Sequence, residues 1–139
     1  MTHCRVFVYG TLKPGESNYG AYCEGKVLVE EKAYCWGRLY GLNLGYPGLT
    51  QGTERVWGYL LTFRDPRSLE DLDVLEDYQP GRAPSENEYQ RRLTPIYGPN
   101  HQPLGVAWVY IMTPATIQLH QGRHLPAGEW SGFPNPGHR

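Results

Sequence analysis

The 139-residue sequence predicts an α+β fold: a small mixed β-barrel with one main helix and a Gly/Pro-rich C-terminal tail. Three observations carry this. Short β-branched and aromatic runs recur along the chain, as strands of a buried or half-buried sheet do. Only the stretch opened by Asp65-Pro66 keeps a convincing helical period. The 17 glycines and 12 prolines punctuate everything else and disfavour long helices. Many strands and one helix in non-alternating order give α+β.

The first strand is Arg5 to Tyr9, stopped by Gly10 and by a second break at Pro14-Gly15. Asn18 to Cys23 reads as a turn or short helical piece. Lys26 to Glu31 and Ala33 to Leu42 read as two strands parted at Glu31-Lys32. Gly41 to Gly52, with Tyr46-Pro47-Gly48 at its middle, reads as a loop that covers something. Arg55 to Phe63 is a further strand, and Gly58 inside it marks a bulge or a close backbone approach. Asp65 caps and Pro66 starts a helix that runs to about Asp77, where Tyr78-Gln79-Pro80-Gly81 ends it. After a polar loop at Arg82 to Asn87, Glu88 to Tyr97 and Leu104 to Met112 form a hairpin pair. Pro114 to Leu125 fits more than one element. The tail from Pro126 holds Gly128-Glu129-Trp130, and is expected to be loose from about residue 131. Residues 1–139 read as one domain, long enough to hold a core without staples.

A net charge of −1, with no basic arm or stripe, argues against nucleic acid as a partner. The longest uncharged apolar run, Leu104 to Met112, is about half the ~20 residues a membrane span needs. Cys4, Cys23 and Cys35 are odd in number and lack CxxC spacing, so buried thiols in a reducing, cytoplasmic setting are expected. His120 and His124 lie four apart, but Gly122 lies between them and no third ligand is evident, so no metal site is expected. Arg91 and Arg92 read as a salt-bridged strand edge in preference to a phosphate site. Lys13 either steers an acidic substrate or is exposed. The sequence leaves the oligomeric state open.

Two places can carry chemistry. Gly10-Thr11-Leu12 hangs off a strand end, and successive N–H groups without a ladder partner form a nest for an anion or a developing oxyanion. A plain loop is the simpler alternative. On a helical wheel at ~100° per residue, with Leu69 at zero, Leu72 falls near −60°, Leu75 near −120° and Glu76 near −20°. Glu76 therefore points inward from the apolar face, while Glu70, Asp71 and Asp77 point outward or sideways. A buried carboxylate is either paired with an Arg or Tyr as a stability element, or neutral, or a working acid/base in a cavity.

The ordered set YGTLKPG, GYPGL (Gly45 to Leu49), VWGYLLTF, LDVLEDY (Leu72 to Tyr78), EYQRR (Glu88 to Arg92), AWVYI (Ala107 to Ile111) and GEW resembles the gamma-glutamylcyclotransferase-like family. That family includes γ-glutamylamine cyclotransferases and plant avirulence-induced relatives. The match spans about Val6 to Trp130. The resemblance implies a substrate loop at Tyr9, Gly10, Thr11 and Leu12, a catalytic acid/base at Glu76 and a pocket tyrosine at Tyr110. It also implies a small γ-glutamyl amino acid or amine as substrate and no metal or organic cofactor.

The implied reaction suits these residue types. The α-amine of a γ-glutamyl compound attacks its own γ-carbonyl, closing 5-oxoproline and expelling an amine, so the protein mainly holds a folded conformer and moves protons. An α-amine has a pKa near ~8 and needs a base at neutral pH. Glu76 in an apolar surround is the candidate. A non-catalytic binding module for a small acidic metabolite and an amide hydrolase are the alternatives. An anion binder gains nothing from an inward carboxylate, and a hydrolase releases glutamate instead of 5-oxoproline.

Overall fold

The computed structural model describes residues 4–132. Five strands form its framework: β1 (Cys4–Val8), β2 (Val27–Gly41), β3 (Pro47–Phe63), β4 (Gln90–Tyr97) and β5 (Pro103–Ile111). A two-residue strand β6 (Arg123–His124) and helices α1 (Tyr19–Tyr22), α2 (Ser68–Leu75) and α3 (Pro114–Leu119) complete it, with a 3-10 turn at Pro84–Glu86. The α+β expectation stands, with α2 the longest helix.

The sheet is mixed, in the order β3-β1-β5-β4-β2-β6, with β3 also paired to β2. β1 runs antiparallel to β3 (Val6 opposite Leu61) and parallel to β5 (Val6 opposite Trp108). Both its faces are covered from Val6 onward, which explains the apolar run Val6-Phe7-Val8. Val6 and Val8 pack with Leu61, Phe63 and Leu72 under α2, while Phe7 packs with Leu39, Leu60, Ile96 and Val109 on the other side.

Two boundaries differ from the sequence reading. The expected break at Glu31-Lys32 is absent: β2 continues through it, with Glu31 opposite Leu60 and Lys32 opposite Tyr59. Leu28 to Lys32 are exposed on both faces of the strand, so charge there does not end it, and the Lys32 ammonium lies 5.2 Å from the Tyr59 ring and 5.8 Å from that of Trp57. The expected covering loop at 41–52 is mostly strand. The true turn is confined to residues 42–46, and β3 begins at Pro47, opposite Gly41. Pairing with β2 overrides the weak strand propensity of its Gly and Pro residues. A register shift where Gly37 faces Glu54 and Arg38 faces Thr50 takes up the extra residues.

Gly58 marks a close backbone approach. It sits in register opposite Ala33, and a Cβ added there would come 2.0 Å from the Val8 carbonyl oxygen. Gly58→Ala must therefore push β1 and β3 apart. We expect a destabilisation of about 1–3 kcal/mol, read by urea unfolding. Unchanged stability would mean that the two strands part freely.

α2 is shorter than expected at both ends. Asp65 does not cap it directly. Its carboxylate accepts the Arg67 N–H at 2.9 Å and holds the Arg67 guanidinium at 2.8 Å, forming a turn that feeds the helix at Ser68. The helix stops at Leu75, with Glu76 as its C-cap and Asp77 at φ 52. Asp and Asn tolerate that left-handed conformation better than most residues. The ambiguous stretch after Met112 resolves into α3, whose Thr113 side chain caps the Thr116 N–H at 3.2 Å and whose first residue is Pro114.

Of the expected loose tail, residues 133–139 lie outside the described residues. The segment before them is tied down: the Gly132 N–H donates to Glu16 at 3.0 Å, and the Lys13 ammonium donates to the Trp130 carbonyl. Lys13 is half-buried in this tie, not simply exposed. All three cysteines are buried free thiols. Among the described residues, no helix is long and apolar enough to cross a membrane.

Candidate active site

Five pieces of chain meet around a cavity of about 210 Å³. The end of β1 supplies Tyr9 to Leu12, the turn before β3 supplies Tyr46 and Pro47, and the end of α2 supplies Leu75, Glu76 and Asp77. The segment leading into β4 supplies Glu88 and Tyr89, and Tyr110 comes from β5. Every residue that the sequence singled out for the site (Tyr9, Gly10, Thr11, Leu12, Glu76 and Tyr110) lines this one cavity.

The loop is built so that its carbonyls are used and its N–H groups are not. Gly10 accepts from the Lys13 N–H at 3.1 Å, and Thr11 accepts from the Asn18 N–H at 2.9 Å. The Thr11 hydroxyl also accepts from the Asn18 side chain at 2.9 Å. Among the described residues, no hydrogen bond takes the N–H of Gly10, Thr11 or Leu12. Gly10 is packed tightly: a Cβ there would lie 2.8 Å from Pro47 Cγ. That contact brings the β3 turn against the loop.

Two carboxylates leave the inward side of α2, and their surroundings differ. Asp73 is buried and fully engaged, accepting from the Tyr110 hydroxyl at 2.6 Å and from Arg91 at 2.8 Å. Arg91 in turn lies 4.4 Å from the Trp108 ring and 5.3 Å from that of Tyr78. The expected salt bridge at Arg91 is therefore present, although its partner is on the helix and not along a strand edge. Burial raises the Asp73 pKa, and the Tyr110 hydroxyl and Arg91 offset part of that rise.

Glu76 has no hydrogen-bond donor or cation on its carboxyl among the described residues. Enclosure by protein, with a smaller push from Glu88, raises its pKa to about 8. It is half-buried by exposure because its open side fronts the cavity. At neutral pH the acid form therefore predominates over a minor ionised fraction, and both forms are within reach for moving a proton in either direction.

The tyrosines are mostly spoken for. Tyr9 donates to the Tyr110 carbonyl at 2.6 Å, Tyr89 donates to the Pro47 carbonyl at 2.6 Å, and Tyr46 donates to Glu88 at 2.7 and 2.9 Å. Burial is the first cause that raises the pKa of each. They wall the cavity as neutral rings.

The polar loop after α2 folds back on its cap. The buried Asn87 side chain accepts the Gln79 N–H at 3.1 Å and the Arg82 guanidinium at 2.7 Å, while Arg82 also holds Asp77 at 3.1 Å. These bonds set where Glu88 enters the cavity.

Sequence reasoning passed over Asp73, Tyr46, Glu88 and Tyr89. Asp73 was within its reach: at ~100° per residue it falls near +40°, on the same inward side as Glu76. The other three arrive only through tertiary pairing. As for metals, no group of three or more possible ligands occurs among the described residues. His124 instead meets Glu54 at 2.7 Å, and His120 is the C-cap of α3.

Comparison with known proteins points one way. The family described as Gamma-glutamyl cyclotransferase, AIG2-like, matches residues 6–132. A protein of Vibrio cholerae serotype O1, named as a candidate gamma-glutamylcyclotransferase, is 35% identical over 127 residues, covering 90% of this chain and 93% of its own. The gamma-L-glutamyl-butirosin B gamma-glutamyl cyclotransferase of Niallia circulans is 32% identical over 105 residues, covering 76% of this chain and 65% of its own. The crystal structure of an AIG2-like protein from Mus musculus superposes with a TM-score of 0.69 at 20% identity, covering all of this chain and 95% of the other, which supports the fold.

Proposed function

Because this chain belongs to the Gamma-glutamyl cyclotransferase, AIG2-like family, we propose that it is an enzyme releasing 5-oxoproline and an amine or amino acid from a small γ-glutamyl compound. The observation that carries the reading is that Glu76, without a carboxyl partner among the described residues, lines the same cavity as three backbone N–H groups that no described residue accepts from.

In this mechanism the amides of Gly10, Thr11 and Leu12 hold an anionic group of the substrate, either its carboxylate or the developing oxyanion. The rings of Tyr9 and Tyr110 wall the folded glutamyl chain, bringing its α-amine to its own γ-carbonyl. The new C–N bond forms as the amine gives up a proton to the Glu76 carboxylate. Glu76 then delivers that proton to the departing nitrogen as the amide C–N bond breaks. The chemistry calls for no metal or organic cofactor. The return of the pairing from β2 to β3 supports a barrel-like sheet within a single domain. The three buried thiols support a reducing, cytoplasmic setting.

A panel of γ-glutamyl dipeptides and γ-glutamyl amines, with products identified by mass spectrometry, tests the reaction. 5-Oxoproline is the expected product. Free glutamate would make the protein an amide hydrolase, and tight binding without turnover would make it a binding module. A carbon-13 NMR titration of the ligand-free protein tests the acid/base group itself. The Glu76 side-chain carboxyl should titrate with a midpoint near 8. A midpoint in the ordinary carboxylate range would remove the physical reason for assigning it proton transfer.

A further inference from the structure

Glu88 is a second carboxylate on the cavity that the proton transfer does not use. Both of its oxygens accept from the Tyr46 hydroxyl, at 2.7 and 2.9 Å, which fixes its orientation while leaving its charge without a cation among the described residues. Among the described residues, no Lys, Arg or His lines the cavity, and of its three acids only Asp77 has a cation, Arg82 at 3.1 Å. Glu76, half-buried and without a hydrogen-bond partner among the described residues, lines the same space, as do the unused amides of the Gly10 loop. The cavity therefore offers donors for an anion at one place and an oriented, unpaired negative charge at another.

Resting on the cyclotransferase reading above, we propose that Glu88, oriented by Tyr46, is a specificity-determining residue that receives a positive charge on the amine portion of the substrate. The preferred substrates are then γ-glutamyl derivatives of cationic amines. The substrate's own α-ammonium is the wrong occupant. It must lose its charge to attack, and a fixed carboxylate paired with it would hold the proton on. A leaving amine that carries a second, non-reacting cation keeps its charge throughout and gains a charge-assisted bond in a partly desolvated place. An anionic leaving portion meets only acids and is rejected.

Three synthetic substrates of matched length test this: γ-glutamyl-1,4-diaminobutane (cationic), γ-glutamyl-n-pentylamine (neutral) and γ-glutamyl-5-aminopentanoate (anionic). The wild-type protein should favour the cationic over the neutral compound in kcat/KM by about tenfold or more, as expected for a hydrogen bond to a charged group, and turn over the anionic one least. Glu88→Gln should bring the cationic-to-neutral ratio close to one. The ratio is the readout because any effect of Glu88 on the Glu76 pKa acts on both substrates alike. Asp77→Asn, whose charge Arg82 already balances, should leave the ratio as it was.

Equal or reversed wild-type preference overturns the proposal, as does a Glu88→Gln protein that keeps the preference. If the wild type converts γ-glutamyl dipeptides but shows no preference among these three, the proposal falls and the cyclotransferase reading stands. If no γ-glutamyl compound yields 5-oxoproline, both fall. The wild-type ranking decides by itself should Glu88→Gln melt below the assay temperature.

Discussion

Glu76→Gln should abolish most 5-oxoproline release while leaving the fold intact. The substitution keeps size and shape and removes both the charge and the ability to carry a proton. General acid–base catalysis contributes about 10²–10⁴-fold, and the upper end is expected because one group serves both transfers. Substrate binding should weaken far less, since the Gly10 to Leu12 amides are untouched. Stability supplies the second readout. A carboxyl whose folded-state pKa is raised to about 8 binds its proton more tightly folded than unfolded. Its contribution is therefore fully present below the unfolded pKa and is lost as pH rises through the folded value. The glutamine side chain has no such pH dependence. The variant should match the wild type in acid and melt higher above pH 8. A glutamine protein that melts earlier than the wild type at alkaline pH, yet turns over normally per folded molecule, would identify Glu76 as a stability element and end its catalytic assignment.

Asp73→Ala should do the reverse and damage the fold. The Asp73–Arg91 side chains are only 12% and 16% exposed, so removing the acid strands a guanidinium between the Trp108 and Tyr78 rings. It also leaves the Tyr110 hydroxyl without its acceptor. Arg91 has no slack to take up the loss, since its Nε already lacks a partner among the described residues. Breaking one partner of a buried pair costs about 3–5 kcal/mol. In a chain of this length that is a fall in melting temperature of roughly 10–20 °C. The double variant Asp73→Ala, Arg91→Leu should lose less than the sum of its two single variants, because the stranded charge is gone. A single-variant loss under about 1 kcal/mol would show that water reaches the pair and that the helix is held by apolar contacts alone.

These two substitutions, three residues apart on one helix end, mark where sequence alone stops. The local period placed both acids inward: at ~100° per residue they straddle Leu69 on the apolar side. It could not say which would find partners. Arg91 and Tyr110 reach Asp73 from β4 and β5, strands whose place beside α2 depends on the whole sheet order. Among the described residues none reaches Glu76, and desolvation without compensation is what raises its pKa and supports the acid/base role proposed for it.

Signals that lie within a few residues were legible. The apolar run of β1 and its stop at Gly10 placed the loop, Gly58 announced the close approach to Val8, and Asp65-Pro66 announced the helix within a few residues of its true start. Signals that depend on pairing were not. Glu31-Lys32 looked like a break because charge reads as solvent in one dimension, although a paired strand exposed on both faces carries it without interruption. Gly41 to Gly52 looked like loop because its propensities are poor, yet the register with β2 made it strand from Pro47 onward. The same pairing carried Tyr46 to the cavity, where it meets Glu88 from 42 positions further along the chain. The sequence by itself determined where the first strand stops at the Gly10 loop and that Glu76 turns inward, because strand ends and helical period are local. Only the tertiary structure decided which carboxylate is left without a partner and which second acid faces it, because partners are assembled from distant segments and desolvation belongs to the cavity they enclose.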